Sequence, residues 1–440
     1  MKLVSVTEMK AIEREADSKG VTYEEMMRRA GLGVADTVEE WFGHLAEKKV
    51  VGLVGPGNNG GDTLVALTAL IKAGWEATAY LVKERAKKDV HLHAFQTAGG
   101  RVLSVSDDPD YVDLDNAVAS STVLMDGLLG TGFRLPLKSD LGQIMKHIRE
   151  ITAKPAVVAV DCPSGVDCDS GEAADEVIPA DVTVCMQAIK TGLMRFPAFK
   201  FTGEIEVVDL GLPADSQAER QIQREVVTAE QVHALLPERA LDSHKGTFGS
   251  ALIAAGSLNY TGAVLLAAEA AYRVGAGLVR AAVPSVIHSI IAGQIPEATW
   301  VLLPNDLGVI SEPAAEVLLE NLKPSTAVLL GPGWGLEDTT FRFLEAFLRR
   351  EPMNHARGGI GFLGKEITDS GIDRTLPPLV VDADGLKLLS RIRDWTKVLP
   401  ADTILTPHPG EMAVMTGLPV DRIQAERLET AESYAREWQQ

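Results

Sequence analysis

The hydrophobic positions of the first 210 residues gather into short runs rich in Val, Ile and Ala, with little polar alternation. Such runs suit strands buried on both faces. They lie at 49–55, 77–82, 122–126, 156–161, 181–186 and 205–210. Between several of them apolar residues recur at helical spacing, over 61–73, 88–99 and 139–151. This alternation predicts a doubly wound α/β sheet whose ligands meet the carboxyl ends of strands. A helical lead precedes it. Thr7 is the expected cap of a first helix, with Lys10 where Glu or Gln would complete a capping box. Thr22 is the expected cap of a second, over 24–40.

A polar stretch at 212–231 breaks the pattern and reads as linker plus helix. A second α/β block begins near Ser243, with strand signals at 250–256, 326–333, 378–382 and 403–406. It also carries a small-residue helix over 264–272 and a polar helix over 421–440. The boundary is placed near residue 220, giving domains 1–220 and 221–440. Residues 351–376 read as a loop-like insert without an assigned role.

The chain has 440 residues, 46% hydrophobic and 23% charged, as in an ordinary globular protein of two or three domains. Its net charge of −19 argues against a nucleic-acid partner. A phosphate ligand must then be held by backbone amides, helix ends or a cation. Cys162, Cys168 and Cys185 have neither zinc-site spacing nor an even count, which fits a reducing compartment. Charge comes too early in the opening segment for a secretory signal. No uncharged apolar run approaches the ~18 residues of a membrane span. A cytoplasmic enzyme without a membrane partner is expected, and a homo-oligomer.

The strand at 49–55 ends in Gly55-Pro56-Gly57-Asn58-Asn59-Gly60-Gly61-Asp62. A strand, a glycine loop and a helix start together aim backbone N–H groups at an anion. A tight βα turn with no ligand is the plainer alternative. The strand at 122–126 ends in Asp126-Gly127, then Gly130-Thr131-Gly132; Asp126 could instead cap the next turn. The strand at 156–161 ends in Asp161-Cys162-Pro163-Ser164-Gly165, where a simple Asx turn is the alternative. Oxygen-bearing side chains at several strand ends suit a hard cation, and an ionised Asp suits general-base work.

These runs closely resemble the YjeF N-terminal domain family, the NAD(P)H-hydrate epimerases, over about residues 1–215. The resemblance extends to Pro179-Ala180-Asp181-Val182-Thr183-Val184 and Val207-Val208-Asp209-Leu210-Gly211. It implies that Asn58, Asn59, Gly60, Gly61 and Asp62 hold the hydrated dinucleotide, with Gly130, Thr131, Gly132, Phe133, Arg134, Leu135 and Pro136. It further implies that Asn59, Asp126 and Ser164 bind potassium, and that Asp161 contacts the hydrated ring as acid–base catalyst. The family writes NNGGDG; Thr63 replaces the last Gly and is expected to narrow the pocket.

The second half carries His244-Lys245-Gly246-Thr247-Phe248-Gly249, Tyr260-Thr261-Gly262-Ala263, Gly331-Pro332-Gly333-Trp334-Gly335, Val380-Val381-Asp382-Ala383-Asp384-Gly385 and Thr406-Pro407-His408-Pro409-Gly410-Glu411. In this order they resemble the ribokinase-like NAD(P)H-hydrate dehydratase domain, from about residue 225. The resemblance implies that Ala263, Gly333 and His408 touch the hydrate, and that ADP or ATP is the cofactor, with Mg2+ as a candidate. The family's Gly-rich loop with its catalytic Asp follows the His-Pro-Gly-Glu turn, and 412–440 contain no such loop. The expected architecture is therefore a Rossmann-like αβα domain followed by an incomplete ribokinase-like α/β domain. Its epimerase half is expected to be intact and its dehydratase half inactive, with apolar surface exposed near 380–406. The rivals are an oxidoreductase with Glu84 on the ribose, a non-catalytic nucleotide-binding or interaction module, and a ribokinase-type small-molecule kinase.

Overall fold

A computed structural model describes residues 1–86, 88–137, 139–350 and 375–440. The expected insert at 351–376 lies almost wholly outside the described residues. The chain divides into two compact units, Met1–Pro237 and Glu238–Gln440. The division falls beyond residue 220 because the chain's start holds the next segment. Leu3 N donates to Arg224 O (3.0 Å), Val226 N donates to Met1 O (2.8 Å), and Lys2 pairs with Glu225 (2.6 Å).

The first unit is built on seven parallel strands: β1 (Lys49–Val54), β2 (Glu76–Leu81), β3 (Arg101–Ser104), β4 (Val123–Gly127), β5 (Ala156–Val160), β6 (Val182–Met186) and β7 (Glu204–Val208). Their order is β3-β2-β1-β4-β5-β6-β7. Alternate residues feed opposite cores. Val50 and Val54 join the layer of α1 (Val6–Ser18), α2 (Tyr23–Phe42), α3 (Asn58–Lys72) and α4 (Val90–Thr97). Val51 and Leu53 join the layer of α5 (Val112–Ser120) and α6 (Ser139–Glu150). Burial on both faces is why these strands carry no polar alternation. β3 gave no sequence signal: it is a four-residue strand behind Gly99 and Gly100.

Ser5, not Thr7, caps α1. Its hydroxyl accepts from Glu8 N (3.2 Å), and Ser5 N donates to the Glu8 carboxylate (2.6 Å), a complete capping box. Thr22 caps α2 as expected, accepting from Glu25 N at 3.2 Å. A two-residue strand, Leu3–Val4, pairs in parallel with Ile189–Lys190. That pairing sets where α1 enters the unit.

The second unit repeats the plan with six parallel strands: β8 (Ser250–Ala254), β9 (Leu278–Pro284), β10 (Thr299–Leu303), β11 (Ala327–Leu330), β12 (Leu379–Val381) and β13 (Ile404–Leu405). Their order is β10-β9-β8-β11-β12-β13. The small-residue helix is α7 (Gly262–Val274). α8 (Asp338–Arg349) packs Phe343 and Phe347 into the core. The polar stretch at 421–440 forms two helices, Val420–Ala425 and α9 (Arg427–Trp438), because Glu426 leaves helical geometry at φ −122°, ψ 41°. Near 380–406 Leu379, Val381 and Leu389 are fully buried, and Ile404 on the edge strand is exposed. Among the described residues no helix is long and apolar enough to cross a membrane.

Candidate active site

In the first unit the strand order reverses between β1 and β4, and a crevice opens outside their carboxyl ends. α3 starts there. Gly57 precedes it with no side-chain cap, so the first N–H groups of α3 meet no side-chain acceptor. The loop before it is braced from below. Arg85 donates to the carbonyls of Gly55 and Gly57 and pairs with Asp89 at 2.7 Å. A Cβ at Gly60 would stand 2.0 Å from Gly55 O, so this turn closes only without a side chain. Thr63 does not narrow the crevice. It is fully buried, donates to Asn59 O (2.8 Å), and packs against Gly52 and Gly127 on the sheet side of α3.

Asn59, Asp126 and Ser164 gather at the Leu128–Leu129 turn: Asn59 and Ser164 reach the Leu129 carbonyl, and Asp126 accepts from Leu128 N at 3.3 Å. Asn59 Nδ2 donates to that carbonyl at 2.7 Å and Ser164 Oγ lies 3.4 Å away. Ser164 also donates through Oγ (2.6 Å) and N (2.8 Å) to the two oxygens of Asp126. Asp126 is fully buried, and among the described residues no Lys, Arg or His pairs with it. Burial pushes its carboxyl up, against the pull of the Ser164 and Leu128 hydrogen bonds. Asn59 Oδ1 is buried and finds no hydrogen-bond partner among the described residues. A lone buried carboxylate beside an orphaned amide oxygen is a donor set that fits a monovalent cation.

The crevice widens into a cavity of about 610 Å³. Asn58, Asn59, Asp62, Gly130, Thr131, Gly132, Phe133 and Asp161 line it. Gly60 and Gly61 lie behind this lining, and Arg134, Leu135 and Pro136 lie outside it. Asp161 ends β5 with φ +66°, a left-handed conformation that Asp tolerates better than most residues. Its Oδ1 accepts from Met186 N at 3.2 Å and from Lys190 Nζ. Glu13 of α1 and Asp62 of α3 face the same group. Loss of water pushes Asp62 well above the usual carboxylate range, Asp161 and Glu13 add to this, and Lys190 opposes it. Glu13 is raised for the same first reason, with Lys190 again opposing. The pocket thus gathers the carboxyl groups of Glu13, Glu24, Asp62 and Asp161 and the ammonium groups of Lys10 and Lys190, an arrangement able to move a proton at a bound ligand.

Glu13, Lys190 and Arg85 escaped the sequence reading. A lysine closing the run Met186-Gln187-Ala188-Ile189-Lys190 was the available signal, a charge where the neighbours are apolar. Glu84, the ribose acid of the oxidoreductase alternative, is exposed and does not line the cavity.

In the second unit Ala263 and Gly333 meet: a Cβ on Gly333, which sits at φ +70°, would be 2.8 Å from that of Ala263. His408 is a helix cap. Its Nδ1 accepts from Gly410 N (3.0 Å) and Glu411 N (3.3 Å), and Glu411 returns a bond to His408 N (3.0 Å). A smaller apolar cavity of about 310 Å³ lies among Leu405, Pro407, Met412, Tyr434 and Trp438. Ala263, Gly333 and His408 do not line it.

Residues 23–192 match the family of the YjeF-related protein N-terminus. Residues 251–353 and 362–440 match the family of the NAD(P)H-hydrate dehydratase. The chain is 34% identical to the bifunctional NAD(P)H-hydrate repair enzyme Nnr of Moorella thermoacetica, over 100% of this chain and 79% of that protein. It is 32% identical to the enzyme of the same name from Thermofilum pendens, over 98% of this chain and 77% of that protein. A solved structure of ADP/ATP-dependent NAD(P)H-hydrate dehydratase from Bacillus subtilis, co-crystallised with ATP/Mg2+, is 29% identical with a TM-score of 0.35. That likeness covers 48% of this chain and 63% of the other.

Proposed function

The chain belongs to the family of bifunctional NAD(P)H-hydrate repair enzymes, and on that premise we propose that its first unit interconverts the R and S forms of hydrated NADH and NADPH. One observation carries this reading: Asp161 stands at a strand end, at the mouth of a glycine-rich crevice, with one carboxylate oxygen fixed. The open start of α3 and the turn at Gly130, Thr131 and Gly132 supply backbone amides for the dinucleotide's phosphates. Such neutral donors suit a chain of net charge −19. The stereocentre carries the added hydroxyl on the reduced nicotinamide ring. Asp161 would move a proton there, either as that hydroxyl leaves and returns or as the ring opens and closes.

Potassium is proposed at Asn59, Asp126 and Ser164. The orphaned Asn59 Oδ1 and the unpaired Asp126 carboxylate support it. When bound, it would offset the buried charge and fix the turn that faces the ligand. The second unit is proposed to dock the hydrate at Ala263, Gly333 and His408. The nucleotide and Mg2+ of the dehydratase activity are carried over from the family and assigned to no residue. A reducing, cytoplasmic setting agrees with three free, buried cysteines, and a homo-oligomeric state stays part of the proposal.

The test is exchange between the two hydrate epimers, followed by chromatography in potassium and in a buffer whose only cation is bulky and organic. Exchange in potassium that falls sharply in the organic buffer is expected. Equal rates in both would remove the cation from the reading, and absent exchange would overturn the activity itself.

A further inference from the structure

Lys190 is the most deeply buried charge facing the cavity, with its side chain 1% exposed. It closes the two-residue strand Ile189–Lys190, held in register by its parallel pairing with Leu3–Val4. Its ammonium donates to Asp161 Oδ1 and to Met186 O at 3.2 Å. Met186 N donates to that same Oδ1 at 3.2 Å. Asp161 Oδ2 takes no hydrogen bond from any described residue. The carboxylate is therefore clamped through one oxygen and open through the other.

We infer that Lys190 is a positioning residue for Asp161: it clamps Oδ1 so that Oδ2 is the oxygen that handles the proton of the bound ring. The inference rests on the epimerase reading and deepens it. An unclamped carboxylate would rotate between orientations and lose near-attack geometry. The groups facing Lys190 are Asp161, Glu13 and Asp62 from three different elements, and the thiols of Cys162, Cys168 and Cys185. Burial works against the lysine's charge, yet Asp161 and the thiols of Cys185 and Cys168 leave it held above its ordinary value. It is thus an ammonium across the working range, a donor rather than a nucleophile.

The test compares wild type, Lys190→Met, Asp161→Asn and the double variant by epimer exchange over a range of pH. Lys190→Met is expected to lower kcat about 10- to 100-fold, the usual scale for losing one charge-assisted hydrogen bond that matters in the transition state. KM should change by less than about threefold, because the hydrogen bonds of Lys190 go to Asp161 and Met186 rather than to the glycine turns proposed to hold the phosphates. The acid limb of the rate profile should move to higher pH, since Lys190 is the cation that opposes the raised carboxyls of Glu13 and Asp62 beside Asp161. In the Asp161→Asn background the second substitution should cost nothing further, because the clamp has no base left to aim. If thermal melting shows that Lys190→Met does not fold, Lys190→Gln, which keeps a donor for Met186 O, carries the same expectations. Wild-type kcat in the variant, or an additive loss in the double variant, would overturn the inference while leaving the epimerase reading intact. Absence of exchange in wild type would overturn that reading instead.

Discussion

At the scale of single residues, the site combines groups that local sequence reveals with groups that only the fold assembles. Asp126 and Asp161 were legible because each ends an apolar strand in a βα unit, where side chains meet ligands. Ser164 came only with the family resemblance. Glu13 was not legible, since nothing local distinguishes a carboxylate on an amphipathic helix from solvated charge, and Lys190 left only the faint mark of a charge closing a mostly apolar run. Their meaning comes from the Leu3–Val4 pairing that carries α1 to the end of β5. Glu13 also has a stability consequence. Its carboxyl is raised above 4.5 mainly by burial. A raised acid favours the folded state fully below its unfolded pKa, and that contribution is lost as pH rises through the folded value. Glu13→Gln should therefore raise the melting temperature near neutral pH relative to wild type and leave it unchanged near pH 4. Thermal unfolding at the two pH values checks this; an equal effect at both would show that packing, not charge, is what changed.

At the scale of elements, the strands buried on both faces were legible and the marginal ones were not. β1, β4, β5 and β6 are short apolar runs, and the sequence places each to within a residue or two. β9 was missed because Arg280 interrupts its apolar run; the guanidinium is satisfied sideways by Asn321, at 2.6 and 2.8 Å, so the strand tolerates it. The cap of α1 was readable and overlooked, since Ser5 and Glu8 have capping-box spacing. His408, which the family resemblance alone puts at the hydrate, closes a helix start with Glu411 while its ring stays exposed. The glycine loop makes the sharpest claim at this scale. Gly60→Ala would force a Cβ against Gly55 O at 2.0 Å, and the loop would have to open. The expected cost is about 1–3 kcal/mol in chemical denaturation, by analogy with overpacking a close contact, together with slower epimer exchange. A variant as stable as wild type would mean that the loop is looser than described.

At the scale of the whole molecule, one topological plan appears twice. Both sheets are all-parallel and both reverse direction beside their first strand, β1 in one and β8 in the other. The reversal makes a crevice in each unit, so the repeated strand order explains why glycine turns cluster at 55–61 and again at 331–335. The α/β class and the two-unit division were legible from strand spacing. The exact division was not, because the pairing of residues 224–226 with the chain's start crosses more than 200 positions of sequence and leaves no local mark. The central claim is that the first unit moves a proton through Asp161. The most direct measurement is exchange between R and S hydrates by the full chain in potassium, with Asp161→Asn beside it. The amide keeps the shape and removes the base. Exchange by wild type and a loss of about 10²–10⁴ in rate in the variant is the predicted result; exchange at the wild-type rate in Asp161→Asn would contradict it.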